Sequence, residues 1–403
     1  MSNPEFDVIV VGAGIAGSAL ALSLVGNGLR LALVEARPID SEIVLPQQGV
    51  DSYDARVSAI TPASSSLLEQ LGCWQTIVSA RTCPYRAMNV WDAEGTGSIQ
   101  FDARELDVPA LGHIVENRLL TAALLGGLEA SEVKLFSPAR VANLVRESGQ
   151  SPTLELEDGR CLTGRLLVGA DGALSRIREL AEFRTREWDY EHHALVATVQ
   201  VEKAHDATAY QRFLESGPLA FLPLPDIEGE HFCSIVWSTE PAQAQELMEL
   251  SDEQFCSQLG MQLENRLGRV LACSPRFSFP LRQRHATDYV QQGVALVGDA
   301  AHTIHPLAGQ GINLGLQDVA VLAEEILNAR RRELNPGDLS VLHRYQRRRK
   351  GENLLMMAAM DGFKRLFGAR PLPLRWLRNS GMRLVGESGP IKQQLMRHAM
   401  GIR

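Results

Sequence analysis

The six cysteines of this 403-residue chain (Cys73, Cys83, Cys161, Cys233, Cys256, Cys273) lie scattered, with no Cys-x-x-Cys pair. That pattern excludes a disulfide frame and a cysteine metal site, and it predicts buried thiols in a reducing compartment. No His-x-x-x-His spacing, Ser-His-Asp set or pair of catalytic carboxylates stands out, so no metal is expected and no acid–base pair is assigned. Internal repeats and long low-complexity tracts are missing too. One charge-free run, residues 8–29, has the length of a signal peptide or a membrane span. Glu5 and Asp7 precede it where a signal would be basic, and five glycines and Asn27 interrupt it, so it is read as neither.

What is present is ordinary in bulk and informative in detail. A hydrophobic content of 45% and a charged content of 22% suit a soluble globular protein, and the length suffices for two domains and a sizeable core. The net charge of −8 is unevenly spread. Residues 329–403 hold 17 Lys/Arg against 5 Asp/Glu, a net of +12, so the first 328 residues carry −20. A basic tail on an acidic body suggests an anionic surface as partner; solvated helix faces pairing with the body are equally open. Nucleic acid is not expected as a partner.

Residues 6–11, Phe-Asp-Val-Ile-Val-Val, read as a short buried parallel strand ended by glycine. Gly12-Ala13-Gly14-Ile15-Ala16-Gly17 follows, then an Ala- and Leu-rich helix to about residue 28. Gly12 permits the tight turn, Gly14 lets a pyrophosphate approach the backbone, and Gly17 lets helix pack close to strand. The helix N-terminus then points unpaired N–H groups at the phosphates. A second strand over 29–34 ends in Glu35, where a ribose hydroxyl needs an acceptor. A glycine fingerprint alone is weak. Strand, fingerprint, helix, strand and terminal acid in that order are a strong nucleotide-binding signal.

Further along, a helix is expected over 61–71, a hairpin over 86–101 with its tip at Glu94-Gly-Thr-Gly97, and a helix from 116 to about 128. Strands follow near 133–136, 140–145, 153–157 and 165–168, with Asp158-Gly159 as a hairpin turn. Strand-like runs at 193–202, 207–214, 218–224 and 231–238 predict an antiparallel sheet. Helices near 240–260, strands near 276–282 and 294–297, and a long helix over 309–330 come next; 337–403 reads as helical throughout. The expected class is α/β. A Rossmann-like domain is assembled from 1–80, 105–185 and 280–335, an inserted antiparallel-sheet substrate domain from 81–104 and 186–279, and C-terminal helices from 336–403.

Two more stretches join the first. One is Val168-Gly-Ala-Asp171-Gly172-Ala-Leu-Ser175-Arg-Ile-Arg178. The other is Gly298-Asp299-Ala-Ala-His302-Thr-Ile-His305-Pro306-Leu-Ala-Gly309-Gln-Gly311-Ile312-Asn313. In this order the three stretches resemble the class A (single-component) flavoprotein aromatic hydroxylases over nearly the whole chain. Leu111-Gly-His-Ile-Val-Glu-Asn117, Trp188-Asp-Tyr-Glu-His-His-Ala-Leu-Val-Ala-Thr198 and Gln394-Leu-Met-Arg-His-Ala-Met-Gly401 sharpen the resemblance. They are similar to the ubiquinone-biosynthesis hydroxylases, most of all the 2-polyprenylphenol hydroxylases.

The resemblance implies FAD as cofactor and a role for each motif. Gly12, Ala13, Gly14, Ala16 and Gly17 would hold its pyrophosphate, and Glu35 its adenosine ribose, with Arg37 nearby. Arg56 and Arg118 would lie along the cofactor, where a guanidinium offers several planar donors. Asp171 would contact the FAD and the nicotinamide side, and Asp299 the ribityl chain. Pro306 and Gly309 lead into a helix whose start, Gly311, Ile312 and Asn313, would direct N–H groups at the flavin pyrimidine edge. NAD(P)H would bind transiently, since no second glycine fingerprint exists. The implied reaction is ring hydroxylation of a polyprenylphenol, consuming O2 and NAD(P)H through a flavin C4a-hydroperoxide in a site that excludes water.

In Gly217-Pro-Leu-Ala-Phe221-Leu-Pro223-Leu224, the residues Phe221, Pro223 and Leu224 are read as a wall of the substrate site; a plain sheet edge is the equal alternative. His302 and His305 tempt as acid or base, but Pro306 puts them in a loop, and His302 reads better as a structural hydrogen-bonder. A polyprenyl lipid substrate implies contact with a membrane surface or with other proteins of the pathway. A cytoplasmic protein, peripheral at the inner membrane face, is expected, and a homo-oligomer stays open. Three rivals remain: a hydroxylase of a later pathway intermediate, a hydroxylase of a small soluble aromatic, and a non-enzymatic flavin-binding scaffold. A disulfide-type flavin reductase lacks its cysteine pair and second nucleotide fold, and a halogenase lacks its Trp-x-Trp-x-Ile run.

Overall fold

The computed structural model describes residues 4–45, 49–95, 97–303, 310–367, 384–386 and 388–402. Strand Phe6–Val11 lies in the middle of an eight-stranded sheet, with Leu31–Val34 and Cys161–Gly169 parallel to it on either side. Val294–Leu296 adds in parallel beyond the latter and Lys134–Phe136 beyond the former. A central parallel strand is covered on both faces, which is why its sequence is continuously apolar and not alternating. Helix Ile15–Leu24 packs against one face, between Asn117–Glu129 and Gln310–Arg331. Helix Leu339–Phe367 packs on Gln310–Arg331 and is tied back by the Tyr345 hydroxyl, which donates to the Leu296 carbonyl at 2.8 Å.

The second sheet has nine strands. Its spine is Phe277–Ala286, Thr185–Val201, His231–Thr239, Gly217–Pro223 and Thr208–Leu214, all antiparallel neighbours. The hairpin Ala87–Asp92 and Ser98–Asp102 extends it by a parallel pairing to Thr208–Leu214. Alternation along each strand sorts side chains to two faces. Leu195, Leu219, Phe221, Ile235 and Trp237 pack under the helices Pro241–Glu249 and Asp252–Gln262. Ala220, Leu222, Leu224 and Phe232 point the other way, onto Tyr53, Ala59 and Ile114.

Ala59 and Ile114 belong to a three-stranded sheet that the sequence reading did not foresee. It pairs Val57–Ile60 and Cys83–Tyr85 with Gly112–Glu116. Each strand is short and its partner is distant in the chain, so no local signal announces it. Three other features differ. Phe277–Ala286 crosses the boundary expected at 280 and stays in the nine-stranded sheet. Thr185–Val201 begins eight residues before the expected start. His302–Thr303 forms an edge strand on Phe277–Ala286, so the stretch after Val294–Leu296 touches both sheets.

In the tail, Leu339–Phe367 and Gly389–Ala399 are helical, while 368–383 lie outside the described residues. The Gly389–Ala399 helix docks by Met396 and Met400 against Ala103 and Leu111, and Lys392 pairs with Glu105 at 2.5 Å.

Candidate active site

The turn after Phe6–Val11 is set by close approach. Gly12 has a φ of +103°, and a Cβ there would stand 2.5 Å from the Ala170 carbonyl oxygen. A Cβ on Gly17 would stand 1.9 Å from the Gly12 carbonyl oxygen, so helix and turn touch backbone to backbone. Gly14 is different: a Cβ there meets nothing within 4 Å. The fold does not need glycine at 14; the open space beside it does. No side chain caps the helix that begins at Ile15, so its first N–H groups have no side-chain partner at that end.

That end opens into a cleft of about 840 Å³ lined by Gly12, Gly14, Glu35, Arg37, Arg56 and Asp171 among others. Glu35 accepts from the Ala13 N–H at 2.7 Å and from the Arg37 N–H at 2.9 Å, one on each oxygen. Each carboxylate oxygen keeps a further lone pair for a ribose hydroxyl. Room beside Gly14, free helix N–H groups and an acid at the next strand end fit the adenosine diphosphate half of FAD.

Asp171 lines the cleft, yet its carboxylate serves its own helix. It accepts from the Ser175 hydroxyl at 2.5 Å and from the N–H groups of Arg176 (2.6 Å) and Ile177 (3.1 Å). Burial raises its carboxyl above the ordinary range against the pull of these bonds. Arg118 is anchored by the protein itself. Its guanidinium donates to the Ser52 carbonyl and to Glu116, both at 2.8 Å. Glu116, 2% exposed, accepts as well from Arg81 at 2.8 Å and from the Asp54 N–H at 2.6 Å. Arg118 therefore braces the loop that delivers Arg56 to the cleft, which Arg37, Arg140 and Arg176 also line.

The second end follows Val294–Leu296. Asp299 sits in the turn Gly298–Ala300, open to solvent but hemmed by protein. That enclosure raises its carboxyl, while His302 and Arg56 pull it back down. Arg56 is thus felt electrostatically at Asp299, and the two ends meet there. At the start of Gln310–Arg331, the Asn313 side chain is fully engaged. It donates to the Ala59 carbonyl at 2.7 Å and accepts from the Thr61 N–H at 3.0 Å and the Thr61 hydroxyl at 3.2 Å. Its part is to clamp the helix start; the N–H groups of Gly311 and Ile312, in the first turn, have no intrahelical acceptor. His305, Pro306 and Gly309 lie outside the described residues.

His302 is 1% exposed and bonded through Nε2 to Asp318 at 2.5 Å. Asp318, Arg349 and Asn353 escaped the sequence reading. The signal for Asp318 was there: an acid one helical turn from Leu314 and from Leu322, both buried, on the apolar side of its helix. No group of three or more His, Cys, Asp or Glu suited to a metal occurs among the described residues.

The proposed wall needs correcting at Phe221 and Pro223. Phe221 is fully buried against the outer helices, and Pro223, paired with Cys233, shares its face, because odd positions of Gly217–Pro223 face away from the three-stranded sheet. Leu222, which was not chosen, takes the inner face, together with Leu224.

Residues 5–356 match the family described as FAD binding domain. The chain is 39% identical to the 3-demethoxyubiquinol 3-hydroxylase of Escherichia coli, over the whole of both proteins. It is 39% identical to the ubiquinone hydroxylase UbiL of Rhodospirillum rubrum, over 98% of this chain and 89% of that one. Among solved structures it is similar to PqsL, described as a probable FAD-dependent monooxygenase from Pseudomonas aeruginosa. The TM-score is 0.77 at 22% identity, over 94% of this chain and 99% of that one, a likeness of fold.

Proposed function

This chain belongs to the class A flavoprotein monooxygenases, and from that premise we propose that it hydroxylates the ring of a polyprenylphenol on the way to ubiquinone. It is an FAD-dependent aromatic-ring monooxygenase that uses O2 and NAD(P)H. Bound FAD, once reduced, supplies the activation of O2. The protein supplies position and shelter. The open side of Gly14 and the start of helix Ile15–Leu24 receive the pyrophosphate, and Glu35 receives the ribose. Asp299 accepts from the ribityl hydroxyls. The first-turn N–H groups of Gly311 and Ile312 donate to the pyrimidine edge, where the positive end of a 22-residue helix favours negative charge.

One observation carries the substrate reading: the inner face of the nine-stranded sheet meets the three-stranded sheet through aliphatic and aromatic groups. Tyr53, Ala59 and Ile114 oppose Leu222, Leu224 and Phe232. A substrate site opening at this apolar contact would exclude water and suit a neutral prenylated ring better than a small charged acid. A second reading, a later quinol of the same route, is favoured by what the E. coli relative is named for. Mass spectrometry of quinone precursors in a deletion strain separates the two. A polyprenylphenol should accumulate on the first reading and a demethoxylated quinol on the second. Accumulation of neither, with normal ubiquinone, overturns both.

The lipid substrate must be met at a membrane or on a carrier protein, and the C-terminal helices are the proposed contact. Met357, Met396 and Met400 turn inward and pack, so these methionines are structural. On the Gly389–Ala399 helix Ile391 and Leu395, one turn apart, stay 50% and 49% exposed. No helix among the described residues is long and apolar enough to cross a membrane, so the contact proposed is peripheral. Co-sedimentation with anionic vesicles tests it. Binding should weaken with salt and with Arg375, Arg378 and Arg383 changed to Glu, by at most about 1 kcal/mol per residue. Wild-type indifference to vesicles rules it out.

A further inference from the structure

Asp318 lies in the third turn of Gln310–Arg331 with no exposed surface, and its two oxygens serve four donors from three elements. One oxygen accepts from the Gly298 N–H at 3.2 Å and from His302 Nε2 at 2.5 Å. The other accepts from Arg349 Nε at 2.8 Å and Asn353 Nδ2 at 3.1 Å. Arg349 is 2% exposed, and its guanidinium also donates to Asn353 Oδ1 at 2.8 Å and to Glu352. Burial works against the charge on Asp318, but His302 and Arg349 outweigh it and hold the carboxyl below its ordinary range.

Stability is a poor reason for such a cluster. Burying a carboxylate and a guanidinium costs several kcal/mol per ion, and apolar side chains of the same volume often do as well. Four directed hydrogen bonds do something packing cannot: they fix orientation. Two of the four partners, Gly298 and His302, flank Asp299. The other two come from the helix Leu339–Phe367, which lies outside the cofactor cleft. Asp318 thus stands behind the Asp299 turn and pins it to the outer helix.

We propose that Asp318 is the positioning residue of the flavin-facing turn: acting through Gly298 and His302, it sets where Asp299 presents its carboxylate to FAD. The inference rests on the reading of Asp299 as a ribityl contact. In this arrangement His302 donates through Nε2, and its part is to hold the turn; it moves no proton in the reaction.

The test uses the full chain, prepared without cofactor and titrated with FAD. Three quantities are read: the FAD dissociation constant from flavin fluorescence, the visible absorption of the bound flavin, and the unfolding temperature. His302→Leu removes the donor to Asp318, and its dissociation constant should rise about tenfold, the loss expected for one charge-assisted hydrogen bond. His302→Gln keeps an N–H donor and should restore most of that affinity. Asp318→Asn should weaken FAD at least as much as His302→Leu and shift the flavin absorption. Leu259→Ala, in the core of the other sheet, should lower the unfolding temperature and leave the FAD constant unchanged.

Wild-type FAD affinity and spectrum in His302→Leu would overturn the proposal, whatever its unfolding temperature. So would a His302→Gln protein as impaired as His302→Leu. If Asp318→Asn yields no folded protein, the His302 pair alone decides. Asp299→Ala separates the two layers. Unchanged affinity there means that the ribityl reading has failed. Weakened affinity there with a normal His302→Leu means that the positioning role has failed.

Discussion

The two ends of the cofactor cleft are built on different physics. At residues 12–17 the work is done by missing side chains: Gly12 and Gly17 let backbone touch backbone, and Gly14 leaves a space. At residues 298–313 it is done by side chains that are present. Asn313 clamps the helix start to Ala59 and Thr61, and Asp318 holds Gly298 and His302 from behind. A site made of absences tolerates no addition, and a site made of side-chain bonds tolerates no truncation. Substitutions should therefore fail in opposite directions at the two ends.

The largest effect is expected at the first end. Gly17→Val should give no folded protein, since its Cβ would lie 1.9 Å from a carbonyl oxygen that cannot move without moving the turn. Gly14→Val should fold, because its Cβ meets nothing within 4 Å, and should bind no FAD, because the phosphate needs that space. Circular dichroism and the yellow colour of the purified protein report the two outcomes. A Gly14→Val protein that holds a full complement of FAD would break the account of this end.

Asn313→Ala probes the second end by truncation. It leaves the buried Ala59 carbonyl and Thr61 N–H without their partner, and each such group costs about 1–3 kcal/mol. A loss of about 3 kcal/mol in urea unfolding is expected. A loss below about 1 kcal/mol would mean that water or a shifted helix replaces the clamp, and the contrast between the ends would weaken. Asp299→Ala should cost less in fold and more in cofactor. One hydrogen bond to a charged group, roughly 1.5–3 kcal/mol, corresponds to about ten- to hundredfold in FAD affinity. Equal affinity would remove Asp299 from the ribityl site.

The same contrast explains what was legible in the sequence. Only glycine fits where a Cβ would stand within about 2.5 Å of a carbonyl oxygen, so the first end leaves a clear pattern at Gly12 and Gly17. Alternating and continuous apolar runs likewise announced the longer strands of both large sheets, but not the short ones at Val270–Cys273, Val290–Gln291 and His302–Thr303. Asp318 is marked only by its place on the apolar side of its helix, and Arg349 and Asn353 are of types found on any helix surface, so the three carry no comparable pattern. Their pairing joins residues 31 and 35 positions apart, which no local spacing encodes. The bonds of Arg118 were illegible for a related reason. An arginine fits a phosphate or a buried glutamate equally well, and the bonds of Arg118 to Glu116 and to the Ser52 carbonyl become visible only in the fold. Phe221 was a matter of phase. The strand was evident, but the face that met the helices depended on register with its neighbours.

The smallest effect, and the one that separates the two acids of the second end, concerns pH. Asp299 has its carboxyl raised by enclosure, so its charge is disfavoured in the folded, cofactor-free protein. The folded state then takes up a proton before the unfolded state does as the pH falls. The stability penalty from Asp299 is present above its raised value and disappears towards the ordinary carboxylate range, about pH 4. Asp318 has the opposite sign. Its lowered carboxyl stabilises the fold above the ordinary range, and that contribution is lost as the pH falls through the lowered value. Solvent reaches Asp299, which limits its penalty to about 1 kcal/mol or less. Asp299→Asn in the cofactor-free protein should therefore raise the unfolding temperature by at most about 1 °C near neutral pH. The gain should shrink as the pH approaches about 4, where wild type is itself protonated at this position. Thermal unfolding of both proteins across that range measures it. A gain that grows towards acid, or a loss at neutral pH, would mean that Asp299 stabilises the turn as Asp318 does. The two acids would then be parts of one structural cluster, and the cofactor would have lost its ribityl acceptor.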